Sequence, residues 1–292
     1  MKKFLIAVSA LTMLGGAAIS SAQASPSEDL KQFRAYFFKK FPGVKLQDYA
    51  NGIYALDATR RFEWEAMEEF PPYEDGVEVG KKLFNKYDLG SCFQKGGIGI
   101  KQYYPYWDKK TQKVRTLEQD IMACLKKKGV DTKKAKIGWK KGKLAAISAY
   151  MAYTSRGKPT SVTIDPSKAS LNAYNKGKIF FYAKRGQLNM ACADCHVYNA
   201  GMLIRGNLLS PALGHTTHFP VWRRKWAKKT AAKKGKSGPL DGFGTIHRRY
   251  GGCNKQVRAK PFKAQSETYR DLEYFHTYMS NGIKLNGPSV RQ

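Results

Sequence analysis

From Ser25 onward the apolar positions fall at helical spacing. Leu30, Phe33, Tyr36 and Phe37 make one stripe behind a Ser25-Pro26-Ser27-Glu28 cap, and Pro42-Gly43 ends it. Residues 44–58 keep no such period and read as loop or short extended chain. Glu63, Glu65, Glu68, Glu69, Glu74, Asp75 and Glu78 then form an acidic stretch, broken by Pro71-Pro72. It reads as an exposed helix face; a docking site for a basic partner is the less economical reading. A pattern then occurs twice. Gly80-Lys81-Lys82-Leu83-Phe84 leads to Cys92, and Gly177-Lys178-Ile179-Phe180-Phe181 leads to Cys192. Each half also closes on a related helix that ends at glycine: 144–157 holds Ala149-Tyr150-Met151, and 272–282 holds Thr277-Tyr278-Met279. The repeat predicts an all-α chain of two small domains, 25–162 and 163–292, linked through 157–166. In each, the closing helix packs across the first.

The N-terminus changes the compartment. Met1-Lys2-Lys3, an apolar run over 4–19 and Ala22-Gln23-Ala24 read as a secretory signal, 1–24, cleaved before Ser25. No later run of about eighteen apolar residues follows, so the mature chain is expected to be soluble, without membrane insertion. Lysine and arginine outnumber acids 52 to 22, a formal charge of +30 of which Lys2 and Lys3 supply two. In a cytosolic chain that excess would suggest nucleic acid. After export it fits an acidic protein partner, an anionic substrate or solubility better. The densest run, Arg223, Arg224, Lys225, Lys228, Lys229, Lys233, Lys234 and Lys236 with Trp222 and Trp226, reads as a solvated surface insertion.

Cys192-Ala193-Asp194-Cys195-His196 carries the chemistry. Two thiols a short turn apart can add to the two vinyl groups of a porphyrin, and the next imidazole can reach the iron. Zinc would need a second ligand pair; His215 and His218, in a Thr-rich loop, are a weak one. The reading is one covalently bound haem c held by Cys192, Cys195 and His196, in a periplasmic protein. The halves are then cytochrome c-like domains, the first without haem, since Lys95 and Gly96 stand where the second thiol and the imidazole belong. Cys92 and Cys124 can form a disulfide that staples this haemless half, worth about 3 kcal/mol; free buried thiols are the alternative. Cys253 is left over. The second axial ligand is then Met202, Met279, a histidine or Cys253. Met202 is too near His196 in sequence, and core packing explains Met279. Cys253 follows His247-Arg248-Arg249-Tyr250-Gly251-Gly252, where arginines lower a thiol pKa and attract oxyanions. A surface thiol beside carboxylate-paired arginines fits that stretch equally well.

These residues resemble SoxA, the haem c subunit of the SoxAX cytochrome of bacterial sulfur oxidation. The resemblance rests on Cys192 to His196, Thr217-His218-Phe219-Pro220-Val221, His247-Arg248-Arg249-Tyr250 with Cys253, Gln256-Val257-Arg258-Ala259, Ala264-Gln265-Ser266 and Leu272-Glu273-Tyr274-Phe275 with Tyr278-Met279-Ser280-Asn281-Gly282. Trp64 and Phe70-Pro71-Pro72-Tyr73 also fit. Cys92-Phe93-Gln94-Lys95-Gly96 departs from the two-haem members and resembles the single-haem branch. In two-haem members the cysteine at the Cys124 position ligates the first haem. That role is void here, consistent with pairing to Cys92. The run after Trp226 is a second departure. The resemblance implies that Cys253 is the distal ligand, a thiolate often found as a persulfide, with Arg249 at the substrate. It implies oxidative coupling of thiosulfate to a cysteine of the SoxYZ carrier, giving an S-thiosulfonate. Electrons pass through haem to a c-type cytochrome, and SoxX is the partner subunit. A third small subunit stays open. His247 and Arg248 either assist or pair structurally. The competing readings are a plain electron-transfer cytochrome c, a thiosulfate dehydrogenase that releases tetrathionate, and a scaffold for SoxX.

Overall fold

The computed structural model describes residues 25–204 and 206–291; the expected signal at 1–24 lies outside them. Among the described residues there are nine α-helices: α1 Pro26–Lys40, α2 Ala58–Glu69, α3 Glu74–Lys86, α4 Leu117–Lys127, α5 Lys143–Tyr153, α6 Lys168–Tyr182, α7 Arg224–Lys234, α8 Ile246–Gln256 and α9 Glu267–Tyr278. Strands are short. β1 Tyr106–Asp108 pairs with β2 Lys113–Arg115, and β3 Leu203–Ile204 with β4 Asn207–Leu208. β5 Val221–Arg223 lies between β6 Phe243–Gly244 and β7 Ser289–Arg291.

Ser25 Oγ caps α1 by accepting the Glu28 N–H at 3.2 Å, and Phe33 and Phe37 of the expected stripe are buried. Residues 44–58 differ from expectation. Leu46–Ala55 winds as 3₁₀ turns on either side of a kink at Gly52, where φ is 63°; Tyr49 and Tyr54 are buried, and Tyr49 Oη donates to Phe37 O at 3.0 Å.

The two glycines of the repeat mark two helix crossings. At Gly80 an added Cβ would lie 2.1 Å from Ala146 O, so α3 and α5 touch backbone to backbone. At Gly177 it would lie 2.0 Å from Asp271 O, the same construction between α6 and α9. Around the first crossing, Phe84, Leu89, Ile121, Leu125, Leu144 and Met151 form one core. The Cys92–Cys124 disulfide closes beside it with Cα atoms 5.9 Å apart. Its sequence separation of 32 makes the loop-closure term roughly 3–4 kcal/mol. Around the second crossing the core holds Tyr174, Phe181, Tyr269, Phe275 and Met279. Phe33 and Phe37 of α1 belong to this second core, although α1 opens the 25–162 half.

A third cluster, Tyr73, Ala145, Ala149, Phe243 and Val290, joins the halves. Most of the acidic stretch is exposed, as expected, but Glu68 is not spare charge. It accepts from Trp64 Nε1 at 3.1 Å, Ser289 Oγ at 3.0 Å and Val290 N at 2.9 Å, and from Tyr73 Oη. It therefore anchors β7.

Asp271, at the Gly177 crossing, is buried with no neutralising partner in contact among the described residues. Burial and the nearby Glu267 push its carboxyl up to about 7. An ordinary carboxyl ionises near 4, so from there to about pH 7 the folded state holds a proton that the unfolded state has lost. Stability falls as pH rises through that window, by up to roughly 4 kcal/mol. Asp271→Asn is expected to melt at wild-type temperature at pH 4.5 and clearly above it at pH 8. Equal melting temperatures at pH 8 would refute the assignment.

Candidate active site

Asp194–Tyr198 forms a short π-helical segment that presents Cys195 and His196 to a cavity of about 400 Å³. The Ala191 N–H donates to Asp194 Oδ2 at 2.7 Å, which sets the turn that brings Cys192 alongside. His196 Nδ1 lies 2.8 Å from Ser210 O. A donated proton there leaves Nε2 as the open ligand atom. Arg185 stacks over Phe180, 3.6 Å from the ring centre, with Nη1 3.5 Å from Cys192 Sγ.

α8 forms the facing wall. Arg249 and Cys253 are four residues apart on it, so they share one helix face, and both line the cavity. Burial pushes the Cys253 thiol up. Arg249, the hydrogen-bonding His196 imidazole and Arg223 outweigh it and bring the thiol down to about 7. Burial pushes Cys192 up to about 11 and raises Cys195 as well. Of the three free cysteines, Cys253 is thus the one whose thiol ionises most readily.

The cavity wall includes Arg60, Arg185, Arg223, Lys225, Arg249 and Arg291, and no Asp or Glu among the described residues. Leu188, Leu208, Leu209, Phe219, Ile246 and Leu272 make much of the rest apolar. His215 and His218 are buried, each with an Nδ1 that has no hydrogen-bond partner among the described residues. These features fit a haem c: two thiols for its vinyl groups, an imidazole nitrogen and a thiolate for its iron, apolar walls for its ring, and cations for its carboxylates. Among the described residues no group of three or more His, Cys, Asp or Glu is placed to hold a bare metal ion, against zinc at His215 and His218.

The other ligand candidates sit elsewhere. Met202 is 58% exposed, and Met279 packs in the second core, outside the cavity wall. His247 and Arg248 are structural. His247 Nδ1 accepts from the Gln265 N–H at 2.9 Å, with Nε2 3.0 Å from Glu273. Arg248 lies over Trp226 at 3.7 Å and donates to Phe243 O.

The basic run is only partly a solvated surface. Lys228, Lys229, Lys233, Lys234 and Lys236 are exposed, but Arg223 turns into the cavity and Trp226 backs it. The alternation Val221, Trp222, Arg223 after Pro220 was the available signal for this. Arg291 and Arg60 had none, because only the fold brings β7 and α2 to this wall.

Comparison with known proteins assigns the chain to a family. The family described as SoxA/TsdA, cytochrome c domain, matches residues 80–160, the half without a complete haem motif. The SoxA subunit of L-cysteine S-thiosulfotransferase from Chlorobaculum thiosulfatiphilum is 49% identical over 293 aligned positions, covering 99% of this chain and 96% of the relative. That from Allochromatium vinosum is 44% identical, covering 92% and 91%. The crystal structure of SoxXA from P. pantotrophus superposes with a TM-score of 0.65 at 27% identity, over 79% of this chain and 83% of that one. At nearly half identity over almost its whole length, the chain belongs to the SoxA family.

Proposed function

We infer that this chain is the catalytic SoxA subunit of a periplasmic SoxAX cytochrome. It couples thiosulfate oxidatively to a cysteine of the SoxYZ carrier. One observation carries the reading: Cys253, Arg249 and His196 meet at one cavity, with the Cys253 thiol held down to about 7. The relatives are L-cysteine S-thiosulfotransferase subunits by name, which fits a sulfur-reactive thiolate beside a guanidinium.

In this reading Cys192 and Cys195 would hold the porphyrin, and His196 and Cys253 would hold its iron. One haem c, when bound there, supplies a one-electron exit toward an acceptor c-type cytochrome. Arg249 takes the sulfonate oxygens of thiosulfate through charge-assisted hydrogen bonds. Cys253 meets the outer sulfur as a thiolate. When the two sulfurs join, two electrons leave. The carrier thiolate then attacks that outer sulfur and releases the Cys253 thiolate. In sum, a carrier S–H breaks, an S–S bond to thiosulfate forms, and one proton and two electrons depart.

The 25–162 half serves as a cytochrome c-like domain without haem, with Cys92 and Cys124 joined in a disulfide. The 163–292 half carries the cofactor. SoxX docks as the partner subunit, in line with the SoxXA structure that this fold resembles.

Intact mass spectrometry, denatured and unreduced, tests this. The chain is expected to start at Ser25, carry one haem and lack two hydrogens for the disulfide. After incubation with SoxX, thiosulfate and an oxidised cytochrome c, SoxYZ is expected to gain one thiosulfate on its cysteine. Free tetrathionate with unmodified carrier would make the protein a thiosulfate dehydrogenase instead. A chain that reduces the cytochrome without either product would be a plain electron carrier.

A further inference from the structure

β5 sits in the middle of the three-stranded sheet, and its alternation sorts its three side chains. Val221 and Arg223 share the face that lines the cavity, while Trp222 packs toward the cluster of Tyr73, Phe243 and Val290. The register is fixed from both sides. Trp222 pairs with Phe243 on β6, and the Arg223 N–H donates to Gly242 O at 2.8 Å. On β7, Val221 pairs with Ser289 and Arg223 with Arg291 in parallel. β7 is itself held, by Glu68 at Ser289 and Val290 and by Arg291 over Tyr54 and Trp64 at 5.1 and 5.5 Å. The Arg223 guanidinium lies over Trp226, 5.4 Å from the ring centre. A long basic side chain is thus aimed by a sheet and an indole.

Its direction matters because of what shares the wall. Arg249 lines the wall beside Cys253 from α8, and Arg223 lines it from the sheet. The two guanidiniums are close enough to act electrostatically on each other and on the thiol. Arg291 shares Tyr54 with Arg223 but also has Glu68 and Tyr73 beside it, so it belongs to the β7 anchor. Thiosulfate is a dianion, and it must approach a thiolate. One guanidinium would leave a net charge of −2 in a buried site, where like charges repel far more strongly than in water. A second halves that.

We propose that Arg223 is a second thiosulfate-binding residue, which with Arg249 grips the sulfonate oxygens from two elements and turns the outer sulfur toward Cys253. The proposal rests on the thiosulfate-coupling reading above. It adds a residue outside the Arg249–Cys253 helix, from a stretch that otherwise serves as surface.

The test uses the haem-loaded chain in complex with SoxX, with thiosulfate titrated by calorimetry and KM and kcat measured with SoxYZ. Haem absorbance and melting temperature monitor folding. Arg223→Gln is expected to weaken thiosulfate binding roughly 10- to 100-fold and to raise KM in proportion, with a smaller change in kcat. Arg223→Lys keeps the charge but loses the planar fork, and is expected to weaken binding several-fold. Should the Gln variant fail to fold, the Lys variant decides. Wild-type affinity in a folded Arg223 variant, with binding lost in Arg249→Gln, overturns the role of Arg223 and leaves the proposed function standing. Unchanged binding in both the Arg223 and the Arg249 variants overturns that function as well.

Discussion

Cys253→Ala is expected to lower the rate of thiosulfate coupling to the carrier by about 10³-fold or more, with a protein that still folds and still carries haem. The size of the effect follows from what the side chain does. Its thiol is the one free thiol of three that the cavity brings down to about 7, so at neutral pH a large share is thiolate. Cys192 is pushed up to about 11 and cannot stand in for it. Arg249 on the same helix face would still bind thiosulfate, so KM is expected to change little while kcat collapses. Cys253→Ser separates nucleophile from packing. It keeps the side chain's size, yet a hydroxyl stays protonated, so its activity is expected to match that of the alanine variant. Loss of the thiolate is also expected to alter the haem absorption spectrum, because in this reading Cys253 would help hold the iron. Alanine and serine variants that retain a tenth of wild-type coupling would remove Cys253 from the reaction. An unchanged spectrum would remove it from the iron.

The haem segment was legible because it is local: the chemistry needs two thiols and an imidazole within five residues, and chain order alone provides them. The Cys253 stretch was half legible. Glycine, arginine and cysteine at that spacing suggested an activated thiol, but a surface thiol beside paired arginines fitted as well. Only the packing of α8 opposite His196 separates the two. Arg223 reads as part of a solvated run because Arg224, Lys225, Lys228 and Lys229 follow it. Which of them faces water is decided by β5 pairing with β7, a contact 68 residues away that no local pattern encodes. Residues 46–55 were missed for a related reason. Their 3₁₀ winding answers to the burial of Tyr49 and Tyr54 against distant partners, not to a period of their own. The assignment of α1 to the second core is another long-range fact. Its apolar stripe announced a buried face and could not say against what.

The repeated glycines were legible as a pattern and acquire their physical meaning at the two crossings. Gly177→Val is expected to abolish accumulation of the haem-loaded chain. The glycine is helical, so backbone freedom is not the issue; space is. An added Cβ at Gly177 would lie 2.0 Å from Asp271 O, 2.6 Å from Asp271 C and 3.0 Å from Phe275 Cβ. Backbone atoms of a neighbouring helix cannot swing aside as a flexible side chain can. α6 and α9 must separate by an ångström or more, and the aromatic packing of Tyr174 and Phe181 against Phe275 opens with them. Overpacking of a well-filled core costs about 1–3 kcal/mol, and loss of a large buried contact adds about as much again. A total of about 2–6 kcal/mol is a large share of the stability of a domain this size. Gly177→Ala probes the same contact more gently. It is expected to fold with a melting temperature lowered by several degrees, since even one methyl meets the carbonyl. Gly80→Ala does the same between α3 and α5, where the Cβ would lie 2.1 Å from Ala146 O. It should destabilise the chain while leaving haem attachment intact, because the cofactor residues lie at the other crossing. Haem content per chain and thermal melting of the three variants decide the matter. A Gly177→Val protein with full haem and wild-type melting would mean that α6 and α9 do not cross backbone to backbone.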